Sequence, residues 1–326
     1  MTTANKKIED ILWISLILLI GTLGIMLLTP DIAVTNAVNP LEVRNQINIT
    51  NAPPFVFNLT FPGPINLEAN SSVFITCNAT VRDYNNVTDI NRVNATLYDI
   101  SIENQYSTAY TNRTKYYTTC TNINQSHDAA YESLYTCNFT VMYWSNPSAW
   151  TCNVTATDFD GLTHADNASA TINTLVAISS ASVLNYGDIG VTETTVNTFL
   201  NLSNGGNRNI NVTVAAYANT SNDSLAMVCA FGNISVESQR YTTNVSDISI
   251  TYPFDRLVIP GNNVSNATSM LNVDTSSFVI RQRNTTINES TNTTIWRVFV
   301  PPGAEGTPSG VCNGTLVFTA TQHLAG

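Results

Sequence analysis

Residues 149–158 read Ala-Trp-Thr-Cys-Asn-Val-Thr-Ala-Thr-Asp, and the alternation in this stretch decides the fold class. In an extended chain, side chains at i and i+2 share a face. Trp150, Cys152, Val154 and Ala156 therefore form one apolar face, while Asn153 and Thr155 stand on the other. A strand with one apolar side belongs to an antiparallel sheet lying half-buried on a core. The same phase recurs along the chain. Ile75, Cys77, Ala79 and Val81 oppose Asn78 and Thr80; Cys137, Phe139 and Val141 oppose Asn138 and Thr140; Ile210, Val212 and Val214 oppose Asn211. Short segments of this kind, broken by Asn, Gly, Asp and Pro, continue towards the C-terminus, and no helical period is sustained after residue 28. Regularly spaced strands of this length predict sandwiches or barrels.

Grouping the strands gives a domain plan. Residues 1–29 hold a cytoplasmic tip and a membrane segment, and residues 30–52 form a spacer containing Pro30 and Pro40. Two all-β domains follow, at 53–175 and 176–326, with Leu-Val-Ala-Ile-Ser-Ser (175–180) as a short stiff linker.

The membrane segment is Ile11 to Leu28, eighteen residues without a charge. At the helical rise it spans about 27 Å, enough to cross a hydrocarbon core. Lys6 and Lys7 precede it, and the next basic residue is Arg44. That bias places the N-terminus in the cytoplasm and sends everything after Leu28 outside. A cleaved signal peptide is the alternative, with Thr35-Asn36-Ala37 as a cleavage site, but such h-regions run to only about 7–15 residues.

Composition agrees with an extracellular surface. Charged residues make up 11% of the chain and the net charge is −10. An acidic chain with so few Lys and Arg does not neutralise phosphates, which excludes a nucleic-acid partner. Asparagine takes up much of the polar share. Of 42 Asn, 23 stand in Asn-x-Ser/Thr with x not Pro, where chance gives about nine. In mid-strand, where Asn is a poor fit, the sequons keep their Asn and Thr off the apolar face. The expected glycan carriers include Asn48, Asn58, Asn78, Asn94, Asn138, Asn153, Asn211, Asn233 and Asn313.

Six cysteines in an exported chain argue for disulfides. Fifteen connectivities exist for six cysteines; Cys77–Cys152, Cys120–Cys137 and Cys229–Cys312 keep every bridge within one expected domain.

Cys77 in Ser-Val-Phe-Ile-Thr-Cys-Asn-Ala-Thr-Val, followed 75 residues later by Trp150-x-Cys152, resembles the Cys to Tyr-x-Cys spacing of immunoglobulin-like domains. Tyr135-x-Cys137 repeats the local pattern, so on this resemblance Cys137 competes with Cys152 as the partner of Cys77. The run WTCNVTATDFDGLT is similar to the last hairpin of PKD-type Ig-like domains, and VNTFLNLSNGGNRNINVTV resembles a strand–turn–strand segment of Ig-like domains in archaeal and bacterial surface proteins. A membrane helix followed by sandwiches with dense sequons is also similar to archaeal pilins and archaellins, although Lys6-Lys7 is followed by Ile8-Glu9-Asp10 with no small residue. These resemblances imply Ig-like sandwiches with presentation, rather than catalysis, as the function.

Chemistry-bearing motifs are scarce. His127, His164 and His323 have no metal-ligand spacing, and no nucleophile elbow, P-loop or dinucleotide fingerprint occurs, so no enzyme and no organic cofactor is expected. The one candidate metal set is Asp158, Asp160 and Asp166 around Gly161, where carboxylate oxygens suit Ca²⁺; a plain hairpin turn uses the same residue types. The expectation is a membrane-anchored surface glycoprotein with a structural or adhesive role. Its partners are the lipid bilayer through residues 11–28 and surface-layer, glycan or self-association contacts. A filament subunit is the alternative, and a glycan-binding module, which needs an exposed aromatic platform from Trp144, Trp150 or Trp296, is a further one.

Overall fold

A computed structural model describes residues 44–106, 111–123, 128, 130–220, 223–243, 256–257, 259–260, 278–285, 287–303 and 306–324. The expected membrane segment lies outside these residues; among the described residues no helix is long and apolar enough to cross a membrane. Residues Asn51–Gly326 form one compact unit, and Met1–Thr50 another.

The compact unit is built of β-sheets that are antiparallel except for one short parallel pair. The first eight strands are β1 (Phe55–Thr60), β2 (Ser72–Arg82), β3 (Ile90–Asp99), β4 (Lys115–Thr119), β5 (Thr121–Asn122), β6 (Glu132–Met142), β7 (Ala149–Asp158) and β8 (Thr163–Thr171). They make two four-stranded sheets, ordered β1-β2-β6-β5 and β4-β3-β7-β8. The apolar faces predicted from alternation point between these sheets. Val56, Ile75, Ala79, Val81, Leu97, Phe139, Val141, Trp150, Val154 and Ala156 share one buried core. Cys77–Cys152 joins the central strands β2 and β7 across it, and Cys120–Cys137 ties the end of β4 to β6.

The remaining strands are β9 (Ile178–Ser180), β10 (Thr198–Asn204), β11 (Ile210–Tyr217), β12 (Leu225–Phe231), β13 (Asn233–Ser235), β14 (Gln239–Thr242), β15 (Arg256–Leu257), β16 (Ile259–Pro260), β17 (Phe278–Ile280), β18 (Thr291–Val298), β19 (Ser309–Asn313) and β20 (Thr315–Gln322). One sheet runs β15-β14-β18-β10-β9; a second places β11 between β20 and the pair β16 and β17; a third runs β13-β12-β19. Leu200, Leu202, Ile210, Val212, Tyr241, Phe278, Ile280 and Trp296 form their main core, and Ala226, Cys229, Ile234, Val298 and Val300 a smaller one. Cys229–Cys312 links β12 to β19 beside the smaller core. Within the predicted linker 175–180, Ile178–Ser180 is β9, the edge strand paired to β10.

Buried amides join the two groups of strands. Asn207 exchanges hydrogen bonds with Leu175 in both directions and donates Nδ2 to the Asn173 carbonyl. Gln282 Nε2 donates to the Trp144 carbonyl, and Arg113 Nη2 donates to Gln282 Oε1. The Arg283 guanidinium lies 3.9 Å from the centroid of the Trp144 ring. A Cβ on Gly206 would overlap the Leu175 carbonyl, so this approach requires glycine.

Two charged residues pin the 100–106 loop over the outer face of β7. Asp99, fully buried, accepts from Ser101 N and Oγ and from Asn146 Nδ2. Lys115, also fully buried, donates Nζ to the carbonyls of Asn104 and Gln105 at 2.9 and 3.1 Å. Burial pushes the Asp99 carboxyl up, but the Ser101 and Asn146 hydrogen bonds to its charged form outweigh that and hold it below its ordinary value. Burial draws the Lys115 ammonium down, partly offset by Glu103.

Trp150→Ala removes the largest buried side chain of the first core, and urea unfolding is expected to show a loss of about 3–5 kcal/mol. For Asp99, a folded-state carboxyl held low contributes stability above its unfolded value that is lost as pH falls through the folded one. Stability measured down to pH 2 is therefore expected to drop below about pH 4, and Asp99→Asn to be less stable at pH 7 with the gap to wild type closing in acid.

Candidate functional site

The features that bear on function are the sequon faces and the acidic end of the first two sheets. At that end the β7–β8 turn presents Asp158 and Asp160, and the Asn51 amide bridges them, with Nδ2 donating to one oxygen of each at 3.0 and 2.9 Å. Asp158 also accepts from Leu162 N through Oδ1, which closes the turn. Asp83, fully buried at the end of β2, accepts from Asn85 N, while its second oxygen has no hydrogen-bond partner among the described residues.

Asp166 does not join this group. The β7–β8 register sets it opposite Val154, four residues along from Asp158, or about 13 Å at the strand rise, and it accepts from its neighbour Asn167 N. Among the described residues no set of three His, Cys, Asp or Glu side chains gathers for a metal ion. The local Asp-x-Asp-Gly motif was legible in the sequence; the bridging by Asn51 was not, because it joins residues 107 and 109 positions apart.

His164 Nδ1 accepts from Val56 N, with the Phe55 ring 4.6 Å from its own, and His323 Nδ1 meets Asn211 Oδ1 at 2.9 Å. His127 lies outside the described residues. The three candidate tryptophans are all buried, with Trp150 donating Nε1 to the Asn146 carbonyl and Trp296 to Thr294 Oγ1. None of them offers the exposed platform a glycan-binding reading requires.

The sequon asparagines divide sharply by position. Of the eighteen described, thirteen are exposed and four half-buried, including Asn78, Asn94 and Asn211. Only Asn153 is buried, and its Nδ2 donates to Gln105 Oε1 at 2.7 Å beneath the 100–106 loop. Asn58, Asn70 and Asn112 have backbone φ of 49°, 56° and 53°, a left-handed conformation that Asn tolerates better than most residues. Those three have a turn-forming reason to be Asn. Asn78, Asn94, Asn138, Asn201 and Asn211 stand inside regular strands, where Asn94, Asn138 and Asn201 accept hydrogen bonds from Thr119, Thr76 and Thr293 across the sheet. Among the fourteen described asparagines outside sequons, Asn146, Asn204 and Asn207 are buried and hydrogen-bonded.

The three disulfides pair Cys77 with Cys152, Cys120 with Cys137 and Cys229 with Cys312. Cys137, the competing partner for Cys77, faces it directly across β2 and β6, yet bonds to Cys120 instead.

No protein-family model matches the chain, and no curated protein matches it. Among solved structures the chain is similar to the CsuC–CsuE chaperone–tip adhesion subunit pre-assembly complex from archaic chaperone-usher Csu pili of Acinetobacter baumannii. The identity is 10%, with 78% of this chain and 96% of that chain covered at a TM-score of 0.35. It is also similar to the C-terminal domain of the AgI/II polypeptide BspA of Streptococcus agalactiae, at 8% identity, 79% and 91% coverage and a TM-score of 0.20. Likeness at this level carries no argument about function; what stands on the chain's own structure is an all-β, mainly antiparallel fold stapled by three disulfides.

Proposed function

We propose that this chain is a non-catalytic cell-surface glycoprotein, held to the membrane by residues 11–28 and displaying its β-sheet unit outside the cell in a structural or adhesive role. The observation that carries the reading is the placement of its asparagines. Seventeen of the eighteen described sequon asparagines reach solvent, whereas the buried asparagines outside sequons serve as hydrogen-bonding elements of the fold. Mid-strand Asn at exposed positions gains nothing from strand propensity, so attachment of a sugar gives it a reason. Three disulfides support the same compartment, since such bonds persist in oxidising surroundings. Glycans would also hydrate a surface that has few charges and exposes Phe74, Tyr106 and Phe231.

Intact mass and peptide mapping of the protein from its native membrane fraction test the proposal. The expected result is a heterogeneous mass above 35.4 kDa that collapses on deglycosylation, with modified Asn138 and Asn201 and an unmodified Asn153. A bare, reduced chain recovered from the cytosol would overturn it.

A further inference from the structure

Basic side chains are scarce in this chain, and they are not spread evenly. Of its ten arginines, three meet on residues 144–147, the turn between β6 and β7. The Arg283 guanidinium lies 3.9 Å from the centroid of the Trp144 ring, Arg113 Nε donates to Asn146 Oδ1 at 2.8 Å, and Arg208 Nη2 donates to the Pro147 carbonyl at 3.4 Å. Four consecutive residues span at most about 14 Å, so three positive charges are confined to one small patch. They arrive from separate parts of the chain: Arg113 from the segment before β4, Arg208 from the β10–β11 turn and Arg283 from the segment after β17.

Nearby carboxylates leave this charge unbalanced. Among the described residues none of the three guanidiniums stands within ion-pair distance of a carboxylate. Asp99 reaches the patch only through the Asn146 amide. Glu289 accepts from the Asn284 and Thr285 backbone amides and from Thr285 Oγ1, while Glu103 accepts from Thr114 Oγ1 and faces Lys115. A guanidinium packed on protein without a counter-charge bears a desolvation cost that an anion offsets.

Two donors in the patch are also unpartnered. Trp144 is only 8% exposed, and among the described residues its Nε1–H meets no acceptor; the same holds for the buried Nε–H of Arg283, which stacks on that ring. Trp150 and Trp296 are as deeply buried, and each finds an acceptor inside the fold. Buried indole donors ordinarily do, so the patch has capacity for an acceptor that the chain does not supply. Asn209 and Asn284 border it, both exposed. Their oxygens are taken by Gln282 N and Arg113 Nη1, and no described residue accepts from their Nδ2 groups.

We propose that residues 144–147, with Arg113, Arg208 and Arg283, form a binding site for the anionic groups of an acidic polysaccharide, its carboxylates or sulfate esters. A guanidinium is a planar fork that matches two oxygens of such a group, and stacking on an indole holds the fork in place. Arg208 and Arg283 offer open forks, whereas Arg113 is spent on Asn146, Gln282 and Asn284 and contributes charge. Two forks side by side favour a ligand carrying anions in series over a lone ion, and the Asn209 and Asn284 amides suit the hydroxyls between them. The net charge of −10 repels anions from the rest of the surface and directs them to this patch. Recognition through charge needs no exposed aromatic platform, so the burial of all three tryptophans does not oppose it. The inference gives a ligand class to the adhesive role proposed above and rests on that reading for the ligand's source, though not for the geometry of the site.

The test is calorimetric titration of the full-length chain in non-ionic detergent with a polygalacturonate hexasaccharide, which carries carboxylates, a heparin hexasaccharide, which adds sulfate esters, and poly-glutamate. Wild type is expected to bind at least one of the oligosaccharides, and which one it prefers identifies the anion. Affinity is expected to fall as salt rises from about 50 to about 200 mM. Arg208→Gln is expected to weaken binding about fivefold, and Arg208→Gln with Arg283→Gln about 30-fold. Arg283→Lys, which keeps the charge and loses the fork, is expected to bind more weakly than wild type. Arg92→Gln removes the same charge from an exposed site opposite Thr157, at the far end of β7, and is expected to bind as wild type does. Arg208 is exposed, so its variant keeps the fold even where losing Arg283 from the Trp144 ring lowers the thermal transition. Absence of binding to both oligosaccharides at about 1 mM, the weak limit of specific affinity, overturns the proposal. So does binding that Arg208→Gln leaves unchanged, binding that Arg92→Gln weakens equally, or a preference for poly-glutamate. Failure here leaves the surface-display reading standing, whereas a cytosolic location would remove that reading and leave the measured binding intact.

Discussion

The bond between Cys77 and Cys152 is the constraint on which the first half of the molecule depends. Both sulfurs are fully buried, and they join the central strands of two facing sheets. Because the side-chain period of a strand is two, fixing one inward residue on each strand fixes which residues of both strands face the core. From that point Ala79 and Val81 on β2, and Trp150, Val154 and Ala156 on β7, have no alternative face. The register then sets the outer residues as well, so Thr76, Asn78 and Thr80 are turned away from the core by the bridge beneath them.

A second constraint follows from the shortage of charge. With 11% charged residues, the protein builds its internal polar contacts mainly from amides and hydroxyls. Asn146 links the Asp99 cluster to Arg113 and supplies its carbonyl to Trp150. Asn204 closes the turn between β10 and β11 by donating to the Arg208 carbonyl. Asn207 holds the chain at Leu175. Where ions are buried, as at Asp99 and Lys115, each is satisfied by hydrogen bonds, which is the condition under which burial of charge is tolerated. Amide-built joints of this kind are insensitive to salt, unlike surface ion pairs.

The same composition makes edges consequential. A sheet protein with many lysines protects its borders by repulsion, and this chain has three Lys in all. Its borders are instead closed by packing, by short strands and by disulfides. β5 is two residues long, and the Cys120–Cys137 bridge lies beside it. On β20, which has neither charge nor proline, Leu316, Phe318 and Ala320 pack on the core and stay half-buried.

How much of this was written in the sequence depends on the range of the interaction. Alternation is local, so the strands around Cys77, Cys137, Cys152 and Asn211 and their inward faces were readable from single residues and their neighbours. Alternation put Cys77, Cys137 and Cys152 all on inward faces and left Cys137 competing with Cys152, so only the fold decided that Cys77 bonds Cys152. Residues 175–180 were not readable, because three residues become an edge strand only when β10 offers them a partner. Asn153 was not readable either: its strand phase points it outward, and only a loop fifty residues earlier, pinned by Asp99 and Lys115, covers it. Nor was the separation of Asp166 from Asp158 and Asp160, which depends on hairpin register. The sequence by itself determined the all-β class, the inward faces and the supply of sequons, since these rest on period and composition. Only the tertiary structure decided which of the described asparagines reach solvent and how the two groups of strands join, since those depend on which distant backbone happens to lie alongside.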